Sequence, residues 1–192
     1  MNNTNRNCNI LNWNIRGLNS PEKWLHIQNK ISESGCSIVC FQDTKKESID
    51  ISFIRNFCPS RFDAFAFTPS IGRSGGILTV WNSANFKGEL LFQNSYTVSV
   101  GLQSTKCGSC WTLTNVYAPC QDDKKTEFLG WLEGIHIPDD ADWLLVGDFN
   151  LIWSPDDRNK PGGKISDMLH FNAVISELEL IEIPLKGRKY TW

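Results

Sequence analysis

An α/β (α+β) domain is the fold class that this 192-residue sequence predicts, on three observations. Short apolar runs of strand length recur between Gly, Asn, Ser and Pro. A central block holds five such runs with no long helix between them, the pattern of antiparallel strands joined by turns. On both sides of that block lie stretches with apolar residues at helical spacing. Composition agrees. The chain is 41% hydrophobic and 21% charged, and its 11 Phe and 8 Trp exclude a disordered polymer. A net charge of −2 excludes a polycation that coats nucleic acid, but leaves room for local basic patches. No apolar run reaches the ~18–20 residues needed to cross a bilayer. The first twenty residues carry no apolar signal segment. The expectation is an intracellular protein with no membrane partner and no obligate protein partner.

The elements follow in order. Eight Asn in the first nineteen residues mark a biased start, and residues 1–8 are expected as a tail to a single domain over 9–192. Cys8 to Ile15 alternates as a strand. Ser20-Pro21 opens a helix, with Ser as N-cap and Pro at the first helical position. Trp24, Ile27 and Ile31 recur at helical spacing, and Gly35 stops it. Ser37 to Phe41 is a short apolar run, the pattern of a buried strand. Ile51 to Phe57 is a short helix. Arg61–Thr68, Gly76–Trp81, Glu89–Phe92, Thr97–Gln103 and Trp111–Tyr117 are the five strands of an expected meander. Lys124–Glu133 returns to helical spacing through Phe128, Trp131 and Leu132. Asp142–Val146 is the most apolar strand. A charged, Gly-containing loop covers Ser154–Gly163. Ser166–Leu180 is a helix with Met168, Phe171, Ile175 and Leu178 on one side. Ile181–Ile183 and Lys189–Trp192 are the last two strands.

Seven cysteines without a secretory signal suit a reducing compartment. Cys107-Gly-Ser-Cys110 has the spacing of a redox pair or half a zinc site. It also falls where a hairpin turn is expected.

Three apolar strands end in polar residues: Asn14 after Trp13, Asp43 after Phe41-Gln42, and Asp148 with Asn150 after Val146-Gly147. An acid at the end of a buried strand is partly desolvated yet reachable. Mg²⁺ takes oxygen ligands and keeps several waters, so carboxylates plus an amide oxygen suit it. Each cluster taken singly also reads as a strand-ending turn, because Asp and Asn favour turns.

Four segments carry a resemblance: Asn12-Trp13-Asn14-Ile15-Arg16-Gly17-Leu18, Phe41-Gln42-Asp43-Thr44-Lys45, Asn115-Val116-Tyr117-Ala118-Pro119 and Val146-Gly147-Asp148-Phe149-Asn150. In this order they resemble the motifs of the endonuclease/exonuclease/phosphatase superfamily. Gly72-Arg73-Ser74-Gly75-Gly76-Ile77 and Pro184 to Trp192 resemble, within it, the apurinic-type endonuclease domain of plant LINE-like non-LTR retrotransposons. The resemblance implies a four-layer α/β/β/α sandwich of two mainly antiparallel sheets. It implies Mg²⁺ as cofactor, with Mn²⁺ as a substitute, DNA as partner and the nucleus as the site of action. Asn14 and Asp43 then stand at metal-binding positions. Tyr117 contacts the scissile phosphate region. Asp148 orients or deprotonates the attacking water, and Asn150 holds the phosphate or assists the metal. The reaction implied is an in-line attack that nicks DNA and leaves a 3′-hydroxyl. Without the motif, Tyr117 reads as an ordinary strand aromatic. Arg73 belongs to a phosphate-holding loop or a hairpin connection. Arg158, Lys160 and Lys164 contact DNA phosphates or form a solvated loop.

The sequence departs from that pattern twice. The family usually has Glu where this chain has Asp43. A side chain one methylene shorter is expected to weaken Mg²⁺ binding, because the ion holds its ligands near ~2.1 Å. The family's closing Ser-Asp-His and its accompanying strands are also missing. His26 and His170 fall in helices and His136 follows one, so none matches that histidine. The expectation is a C-terminally truncated nuclease with weakened or lost activity and an open sheet edge prone to association. Two alternatives stand beside it: a non-catalytic retroelement remnant or nucleic-acid-binding module, and a phosphoesterase acting on a substrate other than nucleic acid.

Overall fold

A computed structural model describes residues 8–72, 74–135, 142–158, 163–184 and 186–187. These fall into two compact units. The first holds the described residues up to Tyr117 and the strand Asp142–Asp148; the second holds those of 118–137 and from Phe149 onward.

The first unit is a sandwich of two sheets. β1 (Ile10–Asn14) leads into α1 (Pro21–Ser34), β2 (Ile38–Gln42), the one-turn α2 (Ile51–Ile54), β3 (Ala64–Ile71) and β4 (Ser74–Trp81). One sheet has the order β1-β2-β4-β3, with β1 and β2 parallel and the other pairs antiparallel. β5 (Phe86–Gln93), β6 (Thr97–Ser104), β7 (Cys110–Tyr117) and β8 (Asp142–Asp148) form the other sheet in that order, with only β7 and β8 parallel.

The expected meander of five strands is therefore divided. β3 and β4 form a hairpin in the first sheet, and β5 to β7 meander in the second. The chain crosses between them at Asn82–Phe86. There the Asn82 carbonyl accepts the N–H groups of Asn85 and Phe86 at 3.0 and 3.1 Å. Asp63 anchors this corner by accepting from Ser83 N–H at 2.9 Å and Ser83 Oγ at 2.7 Å.

α1 begins where its capping chemistry places it. Ser20 Oγ accepts from Lys23 N–H at 3.3 Å, Pro21 occupies the first turn, and Gly35 closes the helix in the left-handed conformation. Its Ile27 and Ile31 are fully buried against the first sheet, in a core with Val39, Phe41, Leu78 and Val80. Phe57 meets Phe41 edge-to-face, with ring centroids 5.9 Å apart. A second core lies between the sheets, where Ile38, Cys40 and Ile77 meet Val98, Val100 and Leu113. β2 thus buries both faces, and each fully buried aliphatic or aromatic side chain contributes roughly 1.5–3 kcal/mol.

The second unit contains α3 (Asp122–Glu133), a 3₁₀ turn (Pro155–Asp157) and α4 (Ile165–Glu177). Phe128, Leu129 and Leu132 of α3 are buried, as are Phe171 and Val174 of α4. α4 ends three residues before the expected Leu180, because Glu179 turns left-handed and Leu180 N–H bonds back to the Ile175 carbonyl. Ile181–Ile183 is not a strand. An alternating run needs a neighbour to pair with, and Ile181 and Ile183 are exposed in irregular chain. The expected strand Lys189–Trp192 lies outside the described residues. No helix among them is long and apolar enough to cross a membrane.

Candidate active site

The parallel pairing at one edge of each sheet decides where the polar strand ends go. In β1–β2, Asn14 stands opposite Gln42, the residue before Asp43. In β7–β8, Tyr117 stands opposite Asp148. Parallel neighbours end on the same side, so each pair delivers two carboxyl ends together. A side-chain hydrogen bond joins the two sheets there: Asn14 Nδ2 donates to Asp148 Oδ2 at 2.7 Å. A carboxylate only accepts, so this bond fixes which end of the Asn14 amide faces Asp148. Asn14 Oδ1 is thereby turned away, buried and without a hydrogen-bond partner.

Asp43 is buried at 7% exposure and adopts a left-handed backbone, with φ of 54°. That conformation costs a non-glycine residue energy and persists only where its surroundings impose it. Two groups do so. Gly75 N–H donates to Asp43 Oδ1 at 3.1 Å, and Lys45 Nζ lies 3.6 Å from Oδ2. The backbone is clamped as well, with Gly17 N–H on the Asp43 carbonyl at 2.7 Å and Thr44 N–H on the Gly76 carbonyl at 3.0 Å. Gly76 has φ of 84°, and a Cβ there would overlap Thr44 Oγ1. The Gly75-Gly76 pair thus opens β4 and brings an N–H to the Asp43 carboxylate, a role that the hairpin reading of this segment does not include. Lys23 Nζ braces the turn after β1 by donating to the carbonyls of Ile15, Arg16 and Gly17 at 2.9, 3.3 and 3.1 Å.

Tyr117 ends β7, half-buried, with its N–H on the Tyr96 carbonyl at 2.8 Å. Asp148 ends β8 directly after Gly147, whose φ is +143°. A Cβ at Gly147 would overlap the Val116 carbonyl oxygen, so no other residue fits between the two strands.

Behind these strand ends runs a buried amide network absent from the sequence reading. Gln42 is fully buried and its Nε2 donates to Asn115 Oδ1 at 2.6 Å and Asn12 Oδ1 at 2.7 Å. Asn115 Nδ2 donates to Thr79 Oγ1 and the Leu78 carbonyl, both at 3.1 Å. Gln42 and Asn115 thus bolt one sheet to the other, one residue before Asp43 and two before Tyr117. The available signal was an amide inside an otherwise apolar strand.

The remaining candidates belong to the second unit or lie outside the described residues. Asn150 has φ of 49° and donates from Nδ2 to the Ala118 carbonyl at 2.7 Å. Lys164 pairs with Asp122 at 2.6 Å, and Lys125 lies 3.3 Å from Asp122 and 3.5 Å from Asp167. Hydrogen bonds from Lys164 and Lys125 hold the Asp122 carboxyl below its ordinary pKa, and Asp122 raises that of Lys164. Arg158 is exposed after the 3₁₀ turn. Arg73 and Lys160 lie outside the described residues. The Cys107–Cys110 segment is an exposed turn between β6 and β7, as the hairpin reading expects.

Among the described residues no group of three or more His, Cys, Asp or Glu gathers as a metal cage. The donor set present is instead the unpaired Asn14 amide oxygen with carboxylates at strand ends. That is the chemistry of a hard cation that completes its shell with water and phosphate, and it fits Mg²⁺ or Mn²⁺.

No protein-family model matches the sequence, and no curated protein matches it. Solved structures do. An AP endonuclease from Leishmania major aligns with a TM-score of 0.65 at 13% identity, over 88% of this chain and 66% of that one. The endonuclease domain of TRAS1, a telomere-specific non-LTR retrotransposon, aligns with 0.64 at 11% identity, over 89% and 72%. The catalytic domain of APE2 from Xenopus laevis aligns with 0.59 at 18% identity, over 88% and 67%. The chain spans roughly two thirds of the length of these structures. It has the fold they share, that of the endonuclease/exonuclease/phosphatase superfamily.

Proposed function

We propose that this chain, built on the endonuclease/exonuclease/phosphatase fold, is a divalent-metal phosphodiester hydrolase that nicks DNA and derives from a non-LTR retrotransposon. The observation that carries the reading is the Asn14–Asp148 hydrogen bond, which leaves a buried amide oxygen unpaired next to the Asp148 carboxylate, with Asp43 at the end of the strand paired to β1. The fold and its likeness to an AP endonuclease and to a retrotransposon endonuclease domain support the choice of DNA.

Asn14 Oδ1 and the Asp43 carboxylate would hold Mg²⁺, which when bound supplies a Lewis acid for a phosphoryl oxygen. Asp148 accepts a proton from the attacking water, and Asn14 Nδ2 fixes the rotamer in which it does so. Tyr117, level with Asp148 on the neighbouring strand, offers its hydroxyl to the scissile phosphate. Asn150 contributes an amide to the phosphate. Arg73, Arg158, Lys160 and Lys164 serve the DNA backbone, Lys164 by exchanging its Asp122 partner for a phosphate. Asp43, one methylene shorter than the glutamate of the family pattern, would hold the metal less tightly and slow turnover. A nuclear site of action would suit a DNA substrate.

The test is nicking of supercoiled plasmid with protein in excess, with Mg²⁺ or with chelator. The expected result is slow, metal-dependent nicking that Asp148→Ala reduces by about 10²–10⁴-fold, the worth of a general base. No nicking, or nicking indifferent to Asp148, contradicts the proposal and favours a nucleic-acid-binding module. Release of phosphate from soluble phosphoesters without nicking favours the other substrate class.

A further inference from the structure

The pairing of β1 with β2 continues toward the chain start. Ile10 stands opposite Ile38, Ser37 N–H donates to the Asn9 carbonyl at 3.0 Å, and Asn9 Nδ2 donates to the Ser34 carbonyl at 3.2 Å. Continued one step further back on each segment, the same register sets Cys8 opposite Cys36. Neighbouring strands lie about 4.8 Å apart, within the ~4.4–6.8 Å Cα separation that a disulfide spans. Cys8 is exposed and Cys36 is buried at 2%. Burial and then the charge of Cys36 push the Cys8 thiol above its ordinary value. The other thiols near Cys36 are poorer partners. Cys40 belongs to the core between the sheets, whereas Cys36 belongs to the core under α1. Cys58 shares the latter core but is itself buried, and burial pushes both thiols up to about 12.

We infer that Cys8 and Cys36 form a disulfide-forming pair, which a small-molecule disulfide such as oxidised glutathione converts into a cross-link between the approaches to β1 and β2. The Cys8 thiolate attacks one glutathione sulfur, expels a glutathione thiolate and becomes a mixed disulfide. The Cys36 thiolate then attacks the Cys8 sulfur and expels the second glutathione thiolate. The two cysteines give up two electrons and two protons, and the oxidant becomes two glutathione molecules. The bond ties down the strand that ends in Asn14.

The experiment treats the chain with oxidised glutathione near pH ~8.5, the ordinary thiol range, and maps unreduced peptides by mass spectrometry. Cys107, Cys110 and Cys120 are first changed to Ser, so that exposed thiols do not compete. The expected result is a Cys8–Cys36 linked peptide, loss of two titratable thiols and reversal by dithiothreitol. Cys36→Ser is expected to stop at a glutathione adduct on Cys8, and Cys8→Ser to keep Cys36 as a thiol. A parent chain that also stops at the Cys8 adduct, or a link from Cys36 to Cys58, overturns the inference.

Discussion

The two units treat polar groups in opposite ways. In the first, Gln42, Asn115, Asp43 and Asn14 are buried or half-buried, and each is held by short bonds to partners far away in sequence. In the second, Asp122, Lys125, Lys164 and Asp167 exchange ion pairs, mostly at the surface. The difference is one of alternatives. An exposed charge that loses its partner finds water, so the pair contributes little. A buried amide that loses its partner has nothing to replace it and bears its whole desolvation cost. The first unit therefore encodes geometry, and the second leaves its charges available for exchange.

The comparison breaks most visibly at Gly147. Gly147→Ala places a methyl on the Val116 carbonyl, and no flexible side chain can yield. The expected loss is about 3–5 kcal/mol, in the range of severe single substitutions, read from urea unfolding. Asn115→Ala comes next. It removes one of the two acceptors of Gln42 Nε2, with Asn12 Oδ1 keeping the other, and opens a gap between the sheets, for an expected loss of about 2–3 kcal/mol. Pairing Asn115→Leu with Gln42→Leu sharpens the point: the double variant is expected to recover part of the loss, because neither amide is then left alone. Lys164→Ala is expected to leave the unfolding midpoint almost unchanged.

A small, pH-dependent effect is expected at Asp63. The Ser83 N–H and hydroxyl hold its carboxyl below the ordinary range. A depressed folded value means that its contribution is present above the unfolded pKa of ~3.9 and is lost as pH falls through the lower folded value. Asp63→Ala is expected to cost under about 1 kcal/mol near neutral pH, since the site is solvent-screened, and nothing once the wild-type carboxyl is protonated.

Much of this was legible in the sequence, and the parts that were not share a cause. Ser20-Pro21 and Gly35 bound α1 as read, because capping is local chemistry. Asn14, Asp43 and Asp148 stood out as candidates because apolar runs ended on them. The division of five strand runs between two sheets was hidden, because alternation gives a strand's faces and not its neighbour. Ile181–Ile183 misled for the same reason. Gln42 and Asn115 were passed over as pieces of motif, since their partners lie 73 residues apart. The segment Arg73 to Gly76 read equally as a phosphate-holding loop or a hairpin connection, and neither includes the Gly75 N–H on the Asp43 carboxylate.

The central claim is that Asn14 and Asp43 hold a divalent cation beside Asp148. The most direct measurement is the thermal unfolding midpoint across a Mg²⁺ or Mn²⁺ titration, for the parent chain and for Asn14→Ala and Asp43→Ala. Ligand that binds only the folded state raises the midpoint with concentration. The expected result is a rise in the parent that both variants lose. An equal rise in the variants, or none in the parent, contradicts the claim.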